Sequence, residues 1–95
     1  MEVPIPVSGK PLELDANTYG KVTKSGMHFV KFFAPWCGHC QRLAPVWDEL
    51  AKSLEYEKSV NIAKVDCTVS PAICESVNVK GYPTLLWIKD GVVVS

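Results

Sequence analysis

Cys37 and Cys40 stand three positions apart in the stretch APWCGHC, Ala34 to Cys40. Two sulfurs at that spacing can share a metal with further ligands, staple the chain, or cycle between dithiol and disulfide. What flanks them separates these uses. Upstream, HFVKFFA, His28 to Ala34, is rich in β-branched and aromatic residues and reads as a strand buried on both faces. Downstream, Leu43, Val46, Trp47, Leu50 and Leu54 recur at helical spacing through QRLAPVWDELAKSLE, with a kink expected at Pro45. Cys37 is therefore expected at a helix N-terminus, where unpaired N–H groups favour a thiolate. A free thiol with a pKa near 8.5 is only about 3% ionised at neutral pH, and lowering that value to about 5 or 6 makes the thiolate the main form. His39, beside Gly38 and between the sulfurs, can add positive charge or a hydrogen bond. Cys40, one turn further in, is expected to be the less exposed, resolving thiol, and Trp36 to shield the site and offer an apolar contact surface. The pattern is that of a reagent.

The other uses fit less well. A zinc site would draw on Cys67 and Cys74, whose separation is poor for a zinc knuckle. Covalent haem attachment needs a histidine directly after the second cysteine, where Gln41 stands. A purely structural Cys37–Cys40 bridge would constrain the unfolded chain little. No metal and no organic cofactor is expected. Cys67 ends a strand-like run and Cys74 falls on the short helix after it, so the pair can meet if that helix folds back. A structural disulfide is the expectation there, worth roughly 2.5 kcal/mol in the chain-entropy model, with two buried thiols or a second redox couple as alternatives.

These sites must be positioned by a small chain. Its 95 residues, 47% of them apolar, suit one domain with one thin core. Ten basic and ten acidic residues cancel without a basic run, which argues against a nucleic-acid surface. No apolar run spans a bilayer, and MEVPIPVSGKPLELD lacks a secretory-signal pattern. Pro4, Pro6 and Pro11 make residues 1–11 an extended segment, leaving residues 12–95 as the domain, one of several in a longer chain. Within it, LEL (Leu12 to Leu14) reads as a strand, and Asp15 as the cap of a helix running to Ser25 and stopping at Gly26. NIAKVD, Asn61 to Asp66, is a second core strand. SPAICESV is a short helix capped by Ser70, and PTLLWIKDGVVVS is a strand, an Asp90–Gly91 turn and a hairpin partner. The order β-α-β-α-β-α-β-β implies an α/β layer with a mixed sheet. Trp47, Trp87, Phe29 and Phe33 lie on core-type patterns, and His28 reads as a satisfied or exposed histidine rather than a ligand.

FFAPWCGHCQRLAPVW, together with VKGYPTLLWIKDG further on, resembles the thioredoxin-fold domains of the protein disulfide isomerase family, over Leu12 to Val94. The resemblance implies a thioredoxin fold, a mixed central sheet flanked by helices, with its C-terminal helix lacking from this chain. It implies formation or isomerisation of disulfides in secretory client polypeptides, an upstream thiol oxidase as partner, and the endoplasmic reticulum lumen, with the cell surface or secretion as further locations. It makes Pro83, in GYPT, a cis-proline opposite the dithiol, with the Tyr82 backbone pairing to an extended client strand. Lys80 takes the place of an arginine that modulates the resolving thiol, without arginine's planar fork. Lys31 takes the place of a buried acid that moves protons for that thiol, and Lys64 that of the acid's usual partner. With two cations there, Lys31 is expected either to extend its amine to solvent, with proton transfer through water, or to be a strand lysine that covers apolar surface with no redox consequence. The alternative function is a recognition module that makes contact through Trp36, His39 and the Tyr82–Pro83 loop, with redox chemistry secondary.

Overall fold

The computed structural model describes residues 9–95; most of the proline-rich segment expected over residues 1–11 lies outside the described residues. Eight elements follow in the expected order: β1 (Leu12–Leu14), α1 (Tyr19–Thr23), β2 (Met27–Phe33), α2 (Gly38–Ser53), β3 (Val60–Asp66), α3 (Pro71–Ser76), β4 (Thr84–Lys89) and β5 (Val92–Val93). They build one five-stranded sheet in the order β1-β3-β2-β4-β5. The β1–β3 and β2–β3 pairs are parallel, while β2–β4 and β4–β5 are antiparallel. β2 is central and paired along both edges, which suits its mostly apolar, aromatic-rich sequence.

Strand alternation divides the apolar residues between two faces. On one face Val30, Phe32, Ala63, Val65, Leu14 and Ile88 pack with Val22 of α1 and with Ile73 and Cys74 of α3. On the other, Ile62 packs with Trp47 and Ala51 of α2, flanked by Phe29, Leu50, Leu54 and Val60. Phe29 stacks on Trp87 (centroids 4.3 Å apart) and meets Trp47 at 4.9 Å, and the Trp47 indole N–H donates to the Ala63 carbonyl at 2.9 Å. This bond fastens α2 to β3 and so fixes where α2 begins.

Local departures from the sequence reading have physical causes. Asp15 bonds the backbone ahead of α1 but is set back from the helix start, where Thr18 stands. Its carboxylate accepts from the Asn17 and Thr18 N–H groups, forming a turn that delays α1 to Tyr19, and the helix then ends before Gly26. Val46, assigned to the apolar stripe, is exposed, because a 16-residue helix over one sheet face buries a narrow seam of Cys40, Trp47 and Ala51. Ser70 makes no side-chain cap bond at the start of α3, where Pro71 occupies the first turn. The Asp90–Gly91 hairpin turn forms as expected, with both residues at positive φ (50° and 84°). His28 is buried, with Nε2 2.7 Å from the Ser25 carbonyl and Nδ1 3.2 Å from the Asn61 amide.

Candidate active site

The dithiol lies where β2 hands over to α2. The Cys37 N–H donates to the Ala34 carbonyl at 3.1 Å, and the Gln41 side chain donates to the Pro35 carbonyl at 2.9 Å, so a tight turn delivers Cys37 to the helix start. Cys37 is the N-cap of α2, in extended conformation, and its sulfur accepts the Cys40 backbone N–H at 3.2 Å. Both cysteines are free thiols, and they form a small buried cluster with Ala34 against which Phe33 packs.

The two thiols sit in opposite electrostatic situations. The hydrogen bond from Cys40 holds the Cys37 thiol below its ordinary range, helped by the Cys40 and His39 backbone N–H groups and the Arg42 charge. Burial pushes the Cys40 thiol up, and its hydrogen bond to Cys37 pushes the same way. Cys37 is thus the stronger thiolate former and better leaving group, while Cys40 keeps its proton.

Beside the dithiol the Tyr82–Pro83 peptide is cis, and the Tyr82 carbonyl accepts from the Cys37 thiol at 3.6 Å. Tyr82 and Trp36 meet edge-to-face at 5.6 Å, and Trp36 is 70% exposed. An exposed aromatic pair therefore borders the reactive sulfur. His39 is exposed one residue past Gly38, in contact with Arg42. Lys80 is exposed on the loop between α3 and β4, and makes no hydrogen bond or ion pair with either thiol.

Lys31 corrects the sequence reading. One of its two expected placements extends the amine into solvent, yet the residue is only 3% exposed. Lys31 lies on the sheet face that α2 covers, with Nζ 5.2 Å from the Phe33 ring centroid and 5.8 Å from that of Trp47. The cause is geometric: β2 is the central strand, and Trp47, fastened to Ala63, roofs the amine. Burial pulls the lysine below its ordinary range, and so does Lys64, its register partner on β3. Asp48 and Cys40 pull it back up. The Lys31 charge in turn favours the Cys40 thiolate.

Two contributors were missed in the sequence. Arg42 had a signal, its place three residues after His39 on one helix face. Asp48 had none, since a carboxylate on an exposed helix surface looks like any other. Away from this site, Cys67 and Cys74 are joined in a disulfide, both 5% exposed within the core that holds α1 and α3. Among the described residues no group of three or more His, Cys, Asp or Glu side chains could hold a metal ion, and no helix is long and apolar enough to cross a membrane.

The thioredoxin family profile matches residues 11–95. The chain belongs to the thioredoxin family. This thioredoxin domain is 59% identical over 83 residues to the thioredoxin domain-containing protein 5 homolog of Drosophila melanogaster, a match covering 87% of the chain and 20% of that protein. It is 44% identical over 81 residues to protein disulfide isomerase-like 2-1 of Oryza sativa, covering 84% and 22% respectively. The domain thus spans about a fifth of the length of these two relatives. Among solved structures, a variant thioredoxin from Halobacterium salinarum superposes with a TM-score of 0.79 at 30% identity, over 97% of this chain and 80% of that one. The first two thioredoxin domains of Saccharomyces cerevisiae Eps1p give a TM-score of 0.86 at 26% identity, over 95% and 35%.

Proposed function

We propose that this domain is a thiol–disulfide oxidoreductase that forms and isomerises disulfides in client polypeptides of the secretory pathway through Cys37 and Cys40. One observation carries the reading. Cys37 caps α2 and accepts the Cys40 N–H, while the Tyr82 carbonyl stands beside its sulfur. One thiol is therefore activated and presented next to the Tyr82–Pro83 backbone.

In the oxidising direction a client thiolate attacks Cys37 Sγ of the Cys37–Cys40 disulfide, and Cys40 leaves as thiolate and takes up a proton. A second client thiolate then attacks the client sulfur of the mixed disulfide and expels Cys37. The client has lost two electrons and the domain has gained them. The lowered Cys37 thiol makes it a good leaving group, and the raised Cys40 thiol slows its return attack, giving the client time to complete its own bond. Tyr82 and Pro83 would hold the client strand, with Trp36 and the His39 ring as contact surface. Each cycle leaves a dithiol, so a thiol oxidase, a two-electron acceptor, is the partner that resets the site. No organic cofactor is required. The Cys67–Cys74 disulfide and the likeness to protein disulfide isomerases support an oxidising compartment, the endoplasmic reticulum lumen.

The reduction potential of Cys37–Cys40, measured in glutathione buffers with trapping of free thiols, tests this. A value near the roughly −180 mV of disulfide isomerase is expected, and one near the roughly −270 mV of thioredoxin would make the domain a reductase and overturn the location. The exposed Trp36–Tyr82 pair also suits a recognition module, but such a module has no use for two thiols of opposed acidity. Full biological activity in Cys37→Ala would revive that reading.

A further inference from the structure

His39 and Arg42 stand three residues apart, one turn along the start of α2, so their side chains share one side of the helix. Arg42 Nη2 lies 2.6 Å from His39 Nδ1. A guanidinium carries only donors, so Nδ1 is the acceptor and the ring proton sits on Nε2. Among the described residues the His39 ring makes no other hydrogen bond. The second guanidinium nitrogen, Nη1, lies over Gly38, where an added Cβ would come within 3.8 Å of it. Arg42 therefore folds back across the Gly38–His39 stretch towards Cys37. We propose that Arg42 is a positioning residue for the Cys37–Cys40 couple, holding His39 in its Nε2–H tautomer while its own guanidinium serves as the fixed cation beside Cys37. This rests on the oxidoreductase reading of the site.

The chemistry follows from the donor count. An imidazolium carries N–H on both nitrogens, and its Nδ1–H would face a guanidinium N–H, two donors with no acceptor between them. The contact thus belongs to neutral His39. The positive charge next to Cys37 then comes from an arginine, which stays protonated throughout the working range. His39 is left with one N–H donor for a client sulfur or carbonyl. The other titratable groups around this corner are Cys37 and Cys40 on α2, Tyr82 beside Cys37 and Lys31 beneath Cys40.

Four proteins test it: the parent, Arg42→Ala, Arg42→Gln and Arg42→Lys, each checked for an unchanged melting transition. Ring 15N shifts of His39 report the tautomer, and the pH profile of Cys37 alkylation, localised by mass spectrometry, reports the thiolate. The parent is expected to show an unprotonated Nδ1 and a protonated Nε2, relaxing in Arg42→Ala towards the averaged shifts of a free imidazole. Alkylation of Arg42→Ala below neutral pH is expected to fall roughly two- to fivefold, the scale of one exposed charge. That fall should vanish near 1 M salt, where the screening length is about 3 Å. Arg42→Gln, which keeps a donor without the charge, should hold the tautomer and show the fall; Arg42→Lys, which keeps both a donor and the charge, should hold the tautomer and show no fall. A parent ring with averaged shifts, an alkylation profile unmoved in Arg42→Ala, or a fall that persists at high salt would each overturn the proposal. A domain that shows all the expected shifts yet oxidises no client dithiol would refute the oxidoreductase reading and leave the role of Arg42 intact.

Discussion

Replacing Lys31 with methionine is expected to make the domain more stable and its resolving thiol less reactive. The side chain keeps an unbranched stem between Phe33 and Trp47, one atom shorter, and loses the charged amine. Three effects set the size. Relief from burial and from the Lys64 charge favours methionine, while loss of the Asp48 attraction and of contact with two aromatic rings favours lysine. Exchanging whole buried ion pairs or triads for packed apolar side chains is neutral or stabilising by about 1–4 kcal/mol, and a lost cation–π contact gives back about 0.5–1 kcal/mol at exposed sites and about 2 kcal/mol when desolvated. The net gain sits at the low end, about 1 kcal/mol, which for a domain of this size is roughly 4–8 °C in melting temperature. The pH dependence identifies the cause. Burial holds the folded-state pKa of Lys31 below its unfolded value near 10.4, so the unfolded chain binds more protons and parent stability rises with pH as the folded amine discharges. The advantage of Lys31→Met should therefore be full near neutrality and shrink as pH climbs towards that value. Thermal melts of both proteins from pH 7 to 10 measure it. The reasoning fails if methionine destabilises the domain at pH 7, or if the gap between the proteins does not change with pH.

The same substitution removes a charge that favours the Cys40 thiolate, so release of a mixed disulfide from Cys37 should slow and its pH profile shift upward in stopped-flow exchange; an unchanged profile in Lys31→Glu and Lys31→Met would remove any redox role for this position. Limiting iodoacetamide at mildly acid pH should modify Cys37 and spare Cys40, read by peptide mass mapping, with the rate rising through a pKa below the ordinary thiol value. Opening the Cys67–Cys74 bridge by a double alanine substitution releases a loop of about eight residues, worth roughly 2.5 kcal/mol and some 10–20 °C in melting temperature, while leaving Cys37 alkylation unchanged. Trp47→Phe deletes the buried bond to the Ala63 carbonyl and should cost about 1–3 kcal/mol in denaturant titration.

Much of this was legible in the chain. β2 announced itself as a run rich in β-branched and aromatic residues, and α2 as a stripe with helical period, so the junction that carries the dithiol could be located from pattern alone. Asp90–Gly91 could be read because an Asp–Gly pair between two strand-like runs has few other uses. What resisted reading depended on contacts between distant elements. Lys31 looked able to reach solvent because nothing local says that Trp47 will roof it; that requires α2 to cross β2 at a particular height, set by the bond to Ala63. The start of α1 was missed because Asp15 had two local uses, a turn and a cap, and the turn won.

The separation of the domain's two apolar cores has a consequence for its sulfur chemistry. Four cysteines can pair in three ways, and the proposed exchange of disulfides would invite the domain's own sulfurs to trade partners. Here Cys67 and Cys74 lie in the core that holds α1 and α3, whereas Cys37 and Cys40 form their own cluster at the head of α2, and the two groups share no member. Burial does not set the pairs apart, since Cys37 and Cys40 are as buried as the bridge; what differs is that Cys37 stands at a helix start beside the exposed Trp36, while the bridge is enclosed by β3 and α3. The fold thus gives its two sulfur pairs different surroundings, one at the open start of a helix and one closed inside packing, so that the second can act as a fixed fastening beside an exchangeable couple.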